Sequence, residues 1–240
     1  GGEVGVLLCH GFTGSPQALR PWAEHLARAG LTVRLPRLPG HGTTWREMAR
    51  TRWEDWYAEL DLALAELTGR CAEVFVAGLS LGGCLALRLA EVHGPAVRGL
   101  VLVNPSLVRD VWLLRLAPVL KWVVPSVPGV TGDIKKPGVR EVGYDRVPVR
   151  AAASLPRLWS LVQRELDKVT QPVLVYHSPH DHVVKPASVR MLQQRLGKNL
   201  SVVECPDSYH VATLDNDAAM IFEGSIEFIR THASVPLPKD

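Results

Sequence analysis

The sequence predicts an α/β fold in which a mostly parallel sheet is flanked by helices, within a single domain of 240 residues. Short apolar runs alternate with segments of helical spacing along most of the chain. Several of these runs are apolar throughout, as expected of strands buried on both faces of a parallel sheet. One run passes through a glycine-rich turn directly into a helix-forming segment rich in Leu and Ala.

The elements of the first half follow in order. Val4–Cys9 is a continuous apolar run and predicts the first strand. A loop over residues 11–16 leads into a helix over residues 17–29, which stops at Gly30. The remaining predicted elements are a strand over 32–35, a loop over 36–44, a helix over 53–67, a strand over 71–77, a helix over 81–92 and a strand at Gly99–Val103.

The alternation resumes after Thr170 with a strand at Val173–His177, a helix over 186–196, a strand over 200–203 and a final helix over 216–230. Residues 106–168 break the pattern: they are rich in proline and hold helical pieces over 111–124 and 151–167. We expect this segment to be a helical cap inserted after a strand end and lying over the site. Its apolar residues are expected to supply part of a pocket wall: Trp112, Leu113, Leu114, Leu116, Val119, Leu120, Trp122 and Val123.

Composition excludes several classes of function. The net charge of +3 gives no basic footprint, so no nucleic acid partner is expected. The four cysteines form no CxxC pair and no Cys/His spacing suited to zinc, so we expect reduced, mostly buried thiols, no metal and no cofactor. Reduced thiols favour a cytoplasmic setting, although the chain begins Gly-Gly without Met and a leader upstream stays open. The longest apolar stretch, residues 111–124, is interrupted by charge and proline and predicts no integral membrane span.

The turn around Ser80 carries the first chemical signal. Gly78-Leu79-Ser80-Leu81-Gly82-Gly83 joins a predicted strand to a predicted helix, with the serine at the apex. Flanking glycines are required where side chains would collide with the neighbouring strand and helix. No Lys-Ser/Thr follows, which excludes a P-loop, and Ser80 stands where a dinucleotide fingerprint needs its second glycine.

Two further residues complete a nucleophilic set. A serine nucleophile needs a base, an orienting carboxylate and donors for the oxyanion. Asp181 lies just beyond the predicted strand Val173–His177, and His210 lies beyond the last predicted strand. In a parallel sheet the carboxyl ends of the strands share one edge, so Ser80, Asp181 and His210 are expected to converge there.

The chain resembles the α/β-hydrolase superfamily, and most of all its branch of capped carboxylesterases and monoacylglycerol lipases. The residues that carry the resemblance are His10-Gly11-Phe12-Thr13-Gly14-Ser15-Pro16, Pro39-Gly40-His41-Gly42, the turn at Ser80, Asp181 with Pro186, and Ser208-Tyr209-His210 with Thr213-Leu214-Asp215. The resemblance covers both halves of the body and is poor in the cap. It implies Ser80 as nucleophile, His210 as base, Asp181 as its partner, and the backbone N–H groups of Phe12 and Leu81 as the oxyanion hole.

Other residues near these motifs could take the same roles. His10 is interpreted as a structural hydrogen-bonding residue, and His41 as a loop residue that could border the cleft. Asp207 is the best substitute for Asp181. Asp215 and Asp217 are expected to cap the final helix.

The leading functional expectation is a serine hydrolase that cleaves small apolar carboxylic esters, of short-to-medium acyl chain or monoacylglycerol type. Transient contact with lipid and a monomer or small homo-oligomer are expected with it. A thioesterase, amidase, acyltransferase or C–C hydrolase would use the same residues. A hydrolase-like receptor that binds a small ligand with slow or no turnover is the alternative from another class.

Overall fold

The structure, a computed structural model, describes residues 2–108 and 124–237. Six strands form one sheet in the order β2-β1-β3-β4-β7-β8, and every neighbouring pair in it is parallel. Its strands are β1 (Val4–Cys9), β2 (Thr32–Arg34), β3 (Glu73–Leu79), β4 (Gly99–Val103), β7 (Val173–His177) and β8 (Leu200–Glu204). The predicted α/β class and parallel sheet are confirmed.

Helices cover both faces of the sheet. The described helices are α1 (Arg20–Arg28), α2 (Trp45–Met48), α3 (Trp53–Thr68), α4 (Leu81–His93), α5 (Val149–Ala152), α6 (Leu155–Glu165), α7 (Ala187–Leu196) and α8 (Ala218–His232). One hydrophobic cluster unites α3, α4, α6 and α7 with one face of the sheet, and a second unites α1 and α8 with the other face. The apolar stripe of α3, which includes the buried Trp56, Leu60 and Leu64, is core.

Several predicted boundaries differ from the structure, and three of these differences bear on the fold. The helix expected over residues 17–29 begins as a 3-10 turn, Pro16–Leu19, because Pro21 has no N–H to give to an α-helical bond. Strand β3 runs two residues further than expected, since Gly78 and Leu79 still pair with β4. The helix expected over 151–167 is broken between α5 and α6, where Pro156 again lacks the N–H.

The expected cap insertion, residues 106–168, is described in part. Its described portion holds α5, α6 and a small antiparallel pair, β5 (Ser126–Pro128) with β6 (Arg146–Pro148), and adds no strand to the six-stranded sheet. The expected helix over 111–124 and the apolar residues from Trp112 to Val123 lie outside the described residues, apart from Val124. The bounds of the insertion therefore stay a prediction.

The structure shows the state of the cysteine thiols and the character of the described helices. All four cysteines are buried free thiols, as expected. Burial raises the pKa of the Cys84 thiol, which keeps it protonated beside the turn. Within residues 2–108 and 124–237, no helix combines the length and apolar character needed to cross a membrane.

Candidate active site

Ser80 stands between β3 and α4 in a backbone conformation that side chains rarely adopt. Its φ is 56° and its ψ is −117°. The main chain fixes this conformation from two sides, because the Ser80 N–H donates to the Val103 oxygen over 2.9 Å and the Ser106 N–H donates to the Ser80 oxygen over 3.1 Å. Strain of this kind persists where the surroundings determine it, and it projects the side chain out of the sheet edge.

Glycines flank Ser80 because the neighbouring backbone leaves no room for a side chain at Gly78 or Gly82. A Cβ on Gly78 would overlap the backbone of Gly82, and a Cβ on Gly82 would overlap the carbonyl group of Cys9. Helix α4 can therefore approach β1 only through Gly82. The steric reason expected from the sequence is confirmed, and it brings the first turn of α4 next to the loop that follows β1.

His210 and Asp181 meet beyond the carboxyl ends of β8 and β7, the strands that they follow in the chain. The Nδ1 atom of His210 lies 2.7 Å from Oδ2 of Asp181, and both side chains are nearly buried, with 9% and 2% of their surface exposed. The other oxygen, Oδ1, accepts the N–H groups of Val183 and Val184 at 2.7 Å each. Because a carboxylate can only accept, the proton of this pair belongs on Nδ1, and Nε2 is left with a lone pair.

One cavity, of about 420 Å³, brings the expected residues together. Ser80, His210, Phe12 and Leu81 all line it, and Asp181 stands behind the ring of His210. Leu81 is the first residue of α4, so no carbonyl of the helix pairs with its N–H. The N–H at such a helix start favours negative charge nearby.

The cavity wall is largely apolar, and much of it comes from the insertion. The insertion contributes Val127, Pro128, Val130, Val147, Val149, Ala152, Leu155 and Trp159. Glu141 is the single carboxylate among the lining residues that the structure describes. Such a lining suits an apolar chain with a polar group at one end.

His10 and His41 lie buried beneath the loop that carries Phe12. The Nε2 atom of His10 accepts the N–H of Leu38 at 3.1 Å, so the residue has the structural role expected from the sequence. His41 packs against the ring of His10, with 5.0 Å between ring centroids, and does not line the cavity. Burial lowers the pKa of His10 to about 3 and that of His41 to about 4, and both rings are neutral near pH 7.

The other acidic candidates serve elsewhere. Asp207 forms an ion pair with Lys135 at 2.7 Å rather than with His210. Asp217 is the N-cap residue of α8, as expected, but its side chain does not bond to the helix; the expectation is wrong for Asp215. Asp215 instead accepts N–H groups of Lys135, Lys136, Tyr209 and Asn216, while Asp217 accepts the N–H of Asp207 and the hydroxyl of Ser208. These carboxylates hold the loop before His210, where unpaired N–H groups needed acceptors.

Sequence reasoning missed two polar residues that hold the site. Asn104, directly after β4, bonds through its side chain to Ser178 and to the main-chain oxygen of His210. Asp133, in the insertion, accepts the N–H groups of His210 and His182 and lies 2.8 Å from the ring Nδ1 of His182. The position of Asn104 at the carboxyl end of a strand was a usable signal; nothing in the sequence pointed to Asp133.

The described residues around the cavity form no metal site. Over residues 2–108 and 124–237, no three or more His, Cys, Asp or Glu side chains are grouped so that they could hold an ion. His182, with Asp133 on one side and the ring of Tyr209 at 4.5 Å on the other, belongs to the loop support.

Comparison with known proteins gives a consistent set of relatives. A model of the family described as "Serine aminopeptidase, S33" matches residues 3–217. A thermostable monoacylglycerol lipase from Bacillus sp. (strain H-257) is 41% identical over 234 residues, which cover 97% of this chain and 92% of that protein. A carboxylesterase from Bacillus subtilis (strain 168) is 27% identical over 95% of this chain and 93% of its own.

Solved structures agree with these matches. A chain from a study of LipS and LipT, two metagenome-derived lipolytic enzymes, is 39% identical with a TM-score of 0.93, covering 97% of this chain and 95% of its own. A monoacylglycerol lipase from Paleococcus ferrophilus is 22% identical with a TM-score of 0.80, covering 95% of both chains. At that lower identity the likeness concerns the fold alone.

Proposed function

Since this chain belongs to the α/β-hydrolase superfamily, within the family described as serine aminopeptidase S33, we propose that it hydrolyses carboxylic esters through an acyl-enzyme on Ser80. The substrate class is an apolar ester of short-to-medium acyl chain or a monoacylglycerol. The observation that carries the proposal is the hydrogen bond between His210 and Asp181, beside the cavity that Ser80 enters from a strained turn.

In the proposed mechanism His210 acts first as a base. Its Nε2 lone pair takes the proton of the Ser80 hydroxyl as the oxygen attacks the acyl carbonyl carbon, and the proton then passes to the leaving alcohol. Asp181 keeps the Nδ1 proton in place and stabilises the imidazolium that forms. Water next attacks the acyl-enzyme with His210 again as the base, which releases the acid and restores Ser80.

The developing oxyanion is assigned to the backbone N–H groups of Phe12 and Leu81. Both residues line the cavity beside Ser80, and they come from the two segments that Gly82 allows to approach one another. Removing one such donor in other enzymes costs roughly 3 kcal/mol of transition-state stabilisation. Only main-chain atoms are used here, so the Phe12 ring is free to contact substrate.

The proposed substrate class is inferred from the residues that line the cavity at Ser80. The wall is mostly apolar, with Glu141 as its described carboxylate, and a monoacylglycerol offers one apolar chain and a glycerol with two free hydroxyls. One oxygen of Glu141 accepts the N–H of Gly132 at 3.1 Å, and a carboxylate keeps further lone pairs for hydroxyl donors. Substrates of this kind gather in micelles and bilayers, so transient contact with lipid is part of the proposal.

The test compares the native chain with Ser80→Ala. We expect the native chain to be labelled by a fluorophosphonate probe and to turn over p-nitrophenyl esters and 1-monoacylglycerols, and Ser80→Ala to do neither while remaining folded. Thioesters and aminoacyl anilides in the same panel measure the preference for esters over other acyl groups. Labelling without turnover on any of these substrates would favour the receptor instead.

A further inference from the structure

A second concavity, away from the cavity at Ser80, is lined by four arginines. It encloses about 360 Å³ between the turn that joins α2 to α3 and the segment that holds α5 and α6. Arg50, Arg52, Arg150 and Arg157 all line it. We refer to this concavity as the arginine crevice.

Positive charge is in excess there. Glu54 is the single carboxylate among the described residues that line the crevice. It lies 3.7 Å from one guanidinium nitrogen of Arg157, and both side chains are largely exposed, so this pair is weak and open to competition. The described lining carries four guanidinium groups and one carboxylate, in a chain whose net charge is only +3, and Arg150 also makes an interaction of its own.

A buried donor at the same place has no acceptor among the described residues. Trp53 lines the crevice and is 8% exposed, and no hydrogen-bond partner of its indole Nε1–H lies within residues 2–108 and 124–237. The neighbouring hydroxyl of Ser154 is already engaged, since it accepts the N–H of Trp53 and donates to the Ala151 oxygen. The described polar groups of the crevice wall supply no acceptor to this buried donor, which adds to the excess of donors over acceptors there.

We propose that the arginine crevice binds an anion of the phosphate class. Guanidinium groups pair with phosphate oxygens through two parallel hydrogen bonds, and several such groups around one concavity suit a tetrahedral anion with a charge near −2. The volume leaves room for the group that carries the phosphate. The phosphate belongs either to a small phosphate ester or to the headgroup of an anionic phospholipid, and the recognised chemistry is the same.

The arginine crevice and the cavity at Ser80 are lined by different residues of the same two helices, α5 and α6. Along α5 and α6, Val149, Ala152 and Trp159 line the cavity at Ser80, whereas Arg150 and Arg157 line the crevice. An anion held there would rest against the segment that shapes the pocket. Binding itself goes beyond the proposed ester hydrolysis and does not depend on it.

The experiment measures anion binding by the full chain. Inorganic phosphate and glycerol 3-phosphate are titrated by calorimetry, and sedimentation with phosphatidylglycerol or phosphatidylcholine vesicles tests the lipid source. The crevice variant is Arg50→Gln with Arg150→Gln. The control is Arg28→Gln with Arg190→Gln, which removes the same charge from exposed positions on α1 and α7.

We expect one soluble probe to bind with a dissociation constant near or below about 1 mM, or phosphatidylglycerol vesicles to be bound in preference to phosphatidylcholine. The crevice variant should weaken that binding by about tenfold or more, and the control by less than about twofold. Saturation by the soluble probes identifies a small phosphate ester, and binding to anionic vesicles alone identifies a headgroup. The proposal is overturned if neither probe nor vesicle binds, or if both double variants weaken binding equally.

Discussion

The side-chain amide of Asn104 donates from Nδ2 to the main-chain oxygen of His210 over 2.8 Å. The same side chain contacts Ser178 twice, since Nδ2 lies 3.0 Å from the Ser178 hydroxyl and Oδ1 accepts the Ser178 N–H at 2.8 Å. Ser178 begins the loop that carries Asp181. One buried side chain therefore ties the loop of the proposed base to the loop of its carboxylate.

We predict that Asn104→Gly lowers kcat by about 10-fold to 100-fold and leaves KM within a few fold. Glycine accommodates the φ of 44° found at Asn104, so the substitution removes the side chain without adding backbone strain. The loss corresponds to about 1–3 kcal/mol, as for buried hydrogen bonds left unmade. Steady-state kinetics with a p-nitrophenyl ester give the change, and the downfield Nδ1 proton of His210 in the NMR spectrum should broaden or shift.

A matched control separates positioning from stability. Gln171 is also buried and donates to the Gly94 oxygen, but it lies at the amino end of β7, on the far edge of the sheet from Ser80. Gln171→Leu should lower the free energy of unfolding and leave kcat unchanged. If Asn104→Gly did the same, a positioning role for Asn104 would be wrong.

Asp133 connects the insertion to the proposed base. Its Oδ2 accepts the N–H of His210 and the N–H of His182, each at 3.1 Å, and its main-chain oxygen accepts the N–H of Val211. We predict that Asp133→Ala lowers kcat by about tenfold or more, since the loops of Asp181 and His210 lose their shared acceptor. Esterase assays and limited proteolysis of the insertion measure the two consequences.

The control for Asp133 lies in the same insertion. Asp145 is exposed, and within the described part of the chain only its main-chain oxygen is used, by the N–H of Gly129. Asp145→Ala removes an equal charge and should keep native activity and the native proteolysis pattern. Equal losses in both variants would mean that charge in the insertion, rather than the contact with His210, sets the rate.

The sheet and the turn at Ser80 could be predicted because local patterns dictate them. Val4–Cys9, Gly99–Val103 and Val173–His177 are apolar on both faces, and their predicted bounds match the structure. Gly78 and Gly82 mark a close approach that only glycine permits. The parallel order of strands then puts Ser80, Asp181 and His210 at one edge.

The loop supports could not be predicted because they depend on long-range contacts. Asp133 lies 77 positions before His210, and no periodicity links the two. Asp215 and Asp217 stand just before a helix, where capping is the local expectation, yet N–H groups of other loops compete for the same carboxylates. The insertion was least predictable, because its prolines divide it into short pieces whose pairing the sequence does not encode locally.

Acid should weaken the fold through its buried histidines. Burial lowers the pKa of His41 from 6.5 to about 4, so between these pH values the unfolded chain binds more protons and stability falls as the pH falls. The shift corresponds to about 3 kcal/mol at most. We predict that His41→Phe, which keeps an aromatic ring beside Phe12 and Trp56, flattens the decline in unfolding free energy from pH 6.5 to pH 4.

Urea unfolding at a series of pH values checks this, with the native chain measured under the same conditions as the comparison. A slope that stays the same in His41→Phe would remove His41 as a source of acid sensitivity.

The contact between α4 and β1 should tolerate no added atom. In Gly82→Ala the new methyl group would overlap the Cys9 carbonyl, so β1 or α4 must shift, at a cost of about 3 kcal/mol or more. Because the loop with Phe12 follows Cys9, we expect the rate of ester hydrolysis to fall by a larger factor than the loss of stability alone would cause.

The control is Gly69→Ala, where the new Cβ would meet the Ala65 oxygen at an ordinary 3.4 Å and the unfolding free energy should change by less than about 1 kcal/mol. Denaturation curves and p-nitrophenyl ester kinetics on both variants decide the point: equal behaviour of the two would show that the approach at Gly82 sets neither the fold nor the oxyanion site.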